Sequence, residues 1–459
     1  MVNLDVLSIF RQLLRRNISR EEIIWCYRNL LGREPESETA IHSHLKSKSF
    51  KHLVECFVHS SEFLANASVI KDTQPAKELD RFKSMGLITP KQNEALAKAE
   101  FEAGVIEVSS SPIVLGLETT SRCNLRCVMC PHAIDAVDRP KHMEECLILS
   151  LDKVISQSSV IQLHGIGEPL TSPVFWSMLK HLSDDCQSQT NTNLTVLDER
   201  RLSALIGSNL KSINVSLDAA RPETYRKIRG YSFEAVIGNI RRFVEARQAS
   251  GKIYPLLYMN MTLMRSNIEE VLEFIDLSVE LGAAVVQLWH LNRWTDTEMQ
   301  QYVVERDGWV FDYQNEGLWN YPALSNDWLR KAEVLARSRG IPLHFGMDTP
   351  VYFDEQGKET LPEKETLSET VKDCDFPWTA MQVTSDGSLK VCCFSGVLGN
   401  LNNSSAEDIW NSPTAIELRK FIKADKIHPL CTNAPCKFVQ NMPEHKPEPK
   451  QTNLDISCP

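Results

Sequence analysis

Between residues 111 and 291, short apolar and β-branched runs alternate with longer stretches of helical spacing. The runs are "PIVLGLETT" (112–120), "VIQLHGIGEP" (160–169), "QSQTNTNL" (187–194), "SINVSLDAA" (212–220), "PLLYMNMTLM" (255–264) and "AAVVQLWHL" (283–291). Strands separated by helix-length segments need crossover connections, and such connections make neighbouring strands parallel. The pattern predicts an α/β domain, a partial (β/α)6 barrel over residues 109–300. Chemistry in such barrels gathers at the C-terminal ends of the strands. The polar and glycine-rich residues of these runs fall at those ends.

The flanks read differently. Residues 1–70 carry helical periodicity. "SREE" from Ser19 to Glu22 is a capping box ahead of "IIWCYRNLL", Gly32 is a stop, and Phe50, Leu53, Val54, Phe57 and Val58 keep helical spacing. Residues 71–108 are polar and are expected to form connecting helices. Residues 301–372 read as an aromatic-rich insertion. Eight aromatics lie from Trp294 to Trp328: Trp294, Tyr302, Trp309, Phe311, Tyr313, Trp319, Tyr321 and Trp328. They would form either a lid over substrate or the small core of the insertion. Residues 373–440 form a small α+β unit in which "VTSDGSLKVCC" (383–393) reads as a hairpin turning at Asp386-Gly387. Residues 441–459, rich in proline and charge, are expected to be a mobile tail.

Composition narrows the function. A net charge of −10 over 459 residues argues against nucleic-acid binding, which uses a basic face. No run of eighteen apolar residues suggests a membrane span, and the start lacks a signal-peptide core, so a cytoplasmic protein is expected. Thirteen cysteines would be unusual there as disulfides. Cys26, Cys56, Cys146, Cys186 and Cys458 are scattered. Two groups are not. Cys123, Cys127 and Cys130 sit together in "CNLRCVMC", and Cys374, Cys392, Cys393, Cys431 and Cys436 gather downstream. Clustered thiols in a reducing compartment point to metal. A structural zinc wants four ligands, and His132 lies too close to Cys130 to close a tetrahedron easily. An iron–sulfur cube held by three cysteines keeps one iron open.

Cys123-x3-Cys127-x2-Cys130, directly after the first strand, resembles the radical S-adenosylmethionine (SAM) enzymes. The resemblance implies that these cysteines hold a [4Fe–4S] cluster whose open iron is chelated by SAM. One electron then cleaves SAM to a 5′-deoxyadenosyl radical, which abstracts hydrogen from carbon. "HGIGEPL" (164–170) resembles the family's Gly-Gly-Glu-Pro motif, which binds the SAM amino group. It implies roles for Gly165, Gly167, Glu168 and Pro169, with Ile166 replacing a glycine. "TNTN" (190–193) resembles the Thr-Asn of the third strand, implicating Asn191, and "VSLDA" (215–219) implicates Ser216 and Asp218 at the SAM carboxylate and ribose. Gln287 and Trp289 are placed by the same resemblance beside the adenine.

The second cysteine group, with "GNLNNSSAEDIWNS" (399–412) and "CTNAPC" (431–436), is similar to the SPASM extension of these enzymes. Five cysteines are too few for two fully ligated clusters. The resemblance therefore implies one auxiliary [4Fe–4S] cluster on Cys374, Cys392, Cys431 and Cys436, Cys393 being the alternative to Cys392. Its implied role is electron transfer or structural support.

The family leaves the substrate open. One reading is oxidation or epimerisation of a carbohydrate-like small molecule. "WCYRNLLGREPES" and "HSSEFL" resemble a helical module appended to bacterial glycosyltransferases and surface-polysaccharide proteins, although a generic helical cap would read the same. The alternatives are a maturase of a ribosomally made peptide and a non-catalytic iron–sulfur scaffold or electron carrier. A flavodoxin or ferredoxin is the implied electron donor. His164, His290 and Arg265, at strand ends, are candidate acid–base groups.

Overall fold

The computed structural model describes residues 19–31, 33–45, 53, 57, 89–292, 301–346, 352–360 and 370–432. All six expected β/α strands are present: β1 (Val114–Leu117), β2 (Val160–Gln162), β3 (Gln187–Thr192), β4 (Ser212–Ser216), β5 (Leu256–Leu263) and β6 (Val285–His290). They pair in parallel, in chain order.

Side chains along each strand alternate between the two faces. Leu115, Leu117, Ile161, Leu163, Ile213, Val215, Leu257, Met259, Met261, Val286 and Leu288 point to one face and join the core beneath the crossover helices. The helices supply the matching apolar stripe, for example Ile237, Ile240 and Phe243 of the helix Phe233–Ala249. The opposite set faces the concave side of the sheet; it is apolar at the strand starts, as at Val114, Val160, Leu256 and Val285, and mostly polar beyond them.

The insertion divides in two. Its first part is the antiparallel hairpin of β7 (Val303–Arg306) and β8 (Trp309–Asp312). Its second part returns to the barrel. The helix Pro322–Arg339 leads into β9 (Leu343–Phe345), which pairs in parallel with β6. A two-strand hairpin of β10 (Tyr352–Phe353) and β11 (Glu359–Thr360) follows. The expected single insertion over 301–372 therefore contains a further α/β unit. The strand "LHF" is only three residues long, too short for periodicity to reveal.

The C-terminal α+β unit also joins the sheet. β12 (Ala380–Val383) pairs in parallel with β1, and β13 (Ser388–Lys390) and β14 (Gly399–Asn400) continue antiparallel to the edge. The expected hairpin is present, with Gly387 at φ +85° in its turn. The sheet thus has ten strands in the order β14-β13-β12-β1-β2-β3-β4-β5-β6-β9.

Arg419 ties this unit to the segment before β1. It is fully buried and donates to Pro377 O (2.8 Å), Ile106 O (3.0 Å) and Trp410 O (2.9 Å). At the N-terminal side, helices Arg20–Leu30 and Glu38–His44 bury Ile23, Tyr27 and Ile41, with Leu53 and Phe57 also buried. Gly32, Phe50, Val54 and Val58 lie outside the described residues. The helix Pro90–Ala103 starts from a capping box at Thr89, whose hydroxyl accepts from Gln92 N at 3.3 Å. Among the described residues, no helix is long and apolar enough to cross a membrane.

Candidate active site

Strand ends β1, β2, β3 and β4 converge on the first cysteine loop. Leaving β1, the chain runs through Cys123 and Cys127 to Cys130, which precedes the short 3-10 turn Pro131–Ile134. All three are free thiols. Burial pushes the Cys123 thiol up to about 12, with the Cys127 charge adding to it; Cys130 rises to about 12 for the same two reasons. Isolated thiolates are therefore disfavoured here, and a bound cation would reverse that preference.

Donors already face the sulfurs. Leu125 N donates to Cys123 Sγ at 3.5 Å, Asn193 Nδ2 lies 4.0 Å from it, and Arg229 Nη1 lies 3.4 Å from Cys127 Sγ. Hydrogen bonds to the ligand sulfurs are what an iron–sulfur cluster receives from its protein. Among the described residues, no three Cys, His, Asp or Glu side chains converge tightly enough to hold one metal ion. A four-iron cube takes its cysteines on separate irons, and so on a wider set. The residues present fit a cluster.

The "GIGEP" turn after β2 lies directly against this loop. Glu168 N donates to Arg122 O at 2.8 Å. A Cβ at Gly167 would collide with the carbonyl oxygens of Thr120 and Arg122, and one at Gly165 with the Glu118 side chain. Glycine at both positions is what allows the close approach. Pro169 is buried and opens the 3-10 turn Pro169–Thr171.

The Glu168 carboxylate is buried and accepts three hydrogen bonds, from Thr192 Oγ1 (2.6 Å), Asn193 N (2.7 Å) and Leu170 N (3.0 Å). Burial raises its pKa and those bonds partly offset the rise. Its side chain therefore staples the β2 turn to the end of β3. Of the repeated "TNTN", the pair at Thr192-Asn193 makes this contact. Asn191 instead faces the concave side, where its Oδ1 accepts from Asn214 Nδ2 at 2.8 Å.

Asp218 is wholly buried after β4, with φ +61°. Its Oδ1 accepts from Thr262 N at 2.7 Å and its Oδ2 forms an ion pair with Arg229. Burial opposes the Arg229 charge, but Asp218 and then Cys127 hold its pKa above the ordinary value. Asp218 thus reaches the cysteine loop through Arg229, which sequence reasoning missed within "YRKIRG". Ser216 ends β4 half-buried, in register with Asn260 of β5.

The insertion hairpin braces the loop from outside. Tyr302, Phe311 and Tyr313 form one buried cluster with Val128, Ile228, Met264 and Leu291. Tyr302 Oη donates to Val128 O at 2.8 Å, and Arg306 donates to Ile228 O at 2.9 Å and to Arg126 O. These aromatics are a core, and that core is shared with the cysteine loop. Trp294 lies outside the described residues.

In the second group, Cys374, Cys392 and Cys431 are half-buried. Gly396 N donates to Leu430 O at 2.7 Å, which brings the Cys431 segment to the turn after β13. Cys393 is disulfide-bonded. Cys436 lies outside the described residues.

The three candidate acid–base groups separate. Arg265 pairs with Glu269 at 3.5 Å and stacks over Tyr321. His290 packs edge-on against Phe353. His164 faces the concave side, and burial lowers its pKa to about 4, leaving a neutral imidazole.

Known proteins resemble this arrangement. Residues 117–278 match the model of the radical SAM superfamily, and residues 374–437 that of the iron–sulfur cluster-binding domain SPASM. The AdoMet-dependent heme synthase of Methanosarcina barkeri is 27% identical over 198 residues, covering 41% of this chain and 53% of its own. The probable GTP 3′,8-cyclase of Methanosarcina mazei is 32% identical over 204 residues, covering 42% and 58%. The chain spans little more than half the length of these curated relatives. Among solved structures, Streptococcus suis SuiB bound to precursor peptide SuiA aligns with a TM-score of 0.51 at 14% identity, covering 82% of each chain, a likeness of fold. The two matched domains imply a SAM-binding [4Fe–4S] cluster and auxiliary iron–sulfur binding. The chain thus carries a radical SAM domain and, on its C-terminal side, a SPASM domain.

Proposed function

We propose that this chain is an enzyme that reductively cleaves SAM and abstracts hydrogen from a carbon of a carbohydrate-like small molecule, oxidising or epimerising it. The observation that carries the reading is the cysteine loop itself. Its sulfurs face backbone, amide and guanidinium donors, at the C-terminal ends of a parallel sheet. With its cofactors bound, the site supplies one electron to SAM, whose C5′–S bond breaks to give methionine and a 5′-deoxyadenosyl radical that takes a hydrogen atom.

The chain's own residues do the holding. Cys123, Cys127 and Cys130 are the proposed ligands. Arg229 places a fixed positive charge beside Cys127, and Asp218 orients it. Gly165 and Gly167 leave the turn close enough for its backbone to meet the SAM amino group, while Glu168 keeps that turn in place. Ser216 ends β4 on the side where the SAM carboxylate and ribose are proposed to lie. Cys374, Cys392, Cys431 and Cys436 are the proposed ligands of one auxiliary cluster. A reduced flavodoxin or ferredoxin in the cytoplasm is the proposed electron source.

The test uses anaerobically reconstituted protein. Iron and sulfide are counted, then dithionite and SAM are added and 5′-deoxyadenosine is assayed. About eight irons per chain with 5′-deoxyadenosine released supports the reading. Zinc in place of iron, with no SAM cleavage, overturns it.

A further inference from the structure

The carboxylate of Glu118 sits where three parts of the molecule meet. Glu118 follows β1 directly, and its N donates to Val383 O, the last residue of β12, at 2.9 Å. The residue is buried, 5% exposed. Its two oxygens divide their partners. Oε1 accepts from Ser385 N (3.1 Å) and Ser385 Oγ (2.8 Å), in the turn between β12 and β13. Oε2 accepts from Ile166 N (3.1 Å), in the "GIGEP" turn after β2. One oxygen thus serves the C-terminal unit and the other serves the barrel.

Both sides of this contact are close. A Cβ at Gly165 would collide with Glu118 Cγ and Oε2, so the carboxylate lies across that glycine. Ser385 Oγ is also 3.0 Å from Ser121 Oγ, which accepts from Lys141 N at 3.0 Å. Ser121 and Ser385 are both buried, and Ser121 stands two positions before Cys123. One small network therefore touches the cysteine loop, the turn after β2 and the turn after β12.

The chemistry of the group suits it to this place. An ionised carboxylate only accepts, and it accepts on both oxygens. A carboxamide of the same shape has one accepting oxygen, and its NH2 would face a donor. Hydrogen bonds to a charged acceptor are stronger than neutral ones, and a buried donor left without its acceptor is costly. Ile166 N and Ser385 N are therefore held at a fixed separation by one rigid group. The Ile166 side chain plays no part in the bond, which uses only its backbone N–H.

We propose that Glu118 is a positioning residue that couples the C-terminal unit to the turn at Gly165–Gly167, so that a change at Ser385 is felt in that turn. For its consequence on SAM binding this rests on the preceding reading; the coupling between the two turns does not. A carboxylate serving only to stabilise the C-terminal unit would need Ser385 and not Ile166.

The test uses full-length, anaerobically reconstituted protein. Hydrogen–deuterium exchange is followed by mass spectrometry over residues 164–170 and 383–393 without SAM. Ser385→Ala is expected to speed exchange over 164–170 about threefold, although the substitution lies in the other unit, and Glu118→Gln about tenfold. The second readout is the EPR spectrum of the dithionite-reduced cluster titrated with SAM, whose apparent Kd is expected to rise by the same factors. Ser385→Ala removes a single hydroxyl and keeps the test readable if Glu118→Gln does not fold. Faster exchange confined to 383–393, with 164–170 unchanged, assigns Glu118 a local structural role and overturns the proposal. So does an unchanged SAM titration in variants whose 164–170 exchange is also unchanged. A wild-type spectrum that does not respond to SAM overturns the preceding reading, while the exchange measured without SAM still decides the coupling.

Discussion

The two cysteine groups are built in opposite ways. The first lies within eight consecutive residues, and the fold supports it from every side: the β2 turn, the end of β3, Arg229 from beyond β4, and the β7–β8 hairpin. The second draws on positions 374, 392 and 431, which are separated by three strands and three helices. It is held as a unit by Arg419 and by the pairing of β12 with β1. A short loop can carry its own ligand spacing. A dispersed set exists only after distant segments have packed, and its geometry depends on the surrounding unit.

That contrast can be broken experimentally. Cys127→Ala is expected to reduce 5′-deoxyadenosine formation to background, because one of the three proposed ligands is gone. Retained formation, measured with dithionite and SAM, would overturn the ligand assignment. Cys431→Ala is expected to leave SAM cleavage within about twofold, about 0.4 kcal/mol in barrier, while product formation falls. Equal loss of both would show that the two groups are not separable.

Arg419→Met is expected to cost about 3 kcal/mol in a urea or thermal unfolding experiment, since three carbonyls, two of them in buried bonds, lose their donor. A change below about 1 kcal/mol would mean that β12 pairing alone holds the second group in place.

The smallest effect concerns pH. His164 titrates near 6.5 when unfolded and is lowered to about 4 by burial in the fold. The unfolded state binds more protons in that window, so the stability this group contributes is complete above pH 6.5 and is lost as pH falls toward 4. His164→Gln should flatten the urea midpoint against pH between those limits. His132 and His142, also lowered by burial, will leave a residual slope.

Legibility followed the range of the interactions involved. The six central strands were readable because each is bounded by turn residues and has helical spacing on both sides. The strand β9 was not, since three residues show no period and their pairing with β6 is decided by the returning helix Pro322–Arg339. In "TNTN" a repeat of two gives two equivalent choices. The register placed Asn191 on the concave side and left Thr192 and Asn193 to meet Glu168. The aromatics of the insertion left a lid and a core equally open, and contact with Val128 and Ile228 showed a core.

The sequence by itself determined what is local: the cysteine spacing, the glycines that permit close approach, the strand periods and the Asp-Gly turn. Tertiary structure alone decided which side chains share a space. It set Arg229 between Asp218 and Cys127, carried β12 across to β1, and hung Ile166 and Ser385 on the two oxygens of Glu118. The physical reason is that register and crossover packing bring together residues far apart in the chain, and local periodicity does not encode which strand lies beside which.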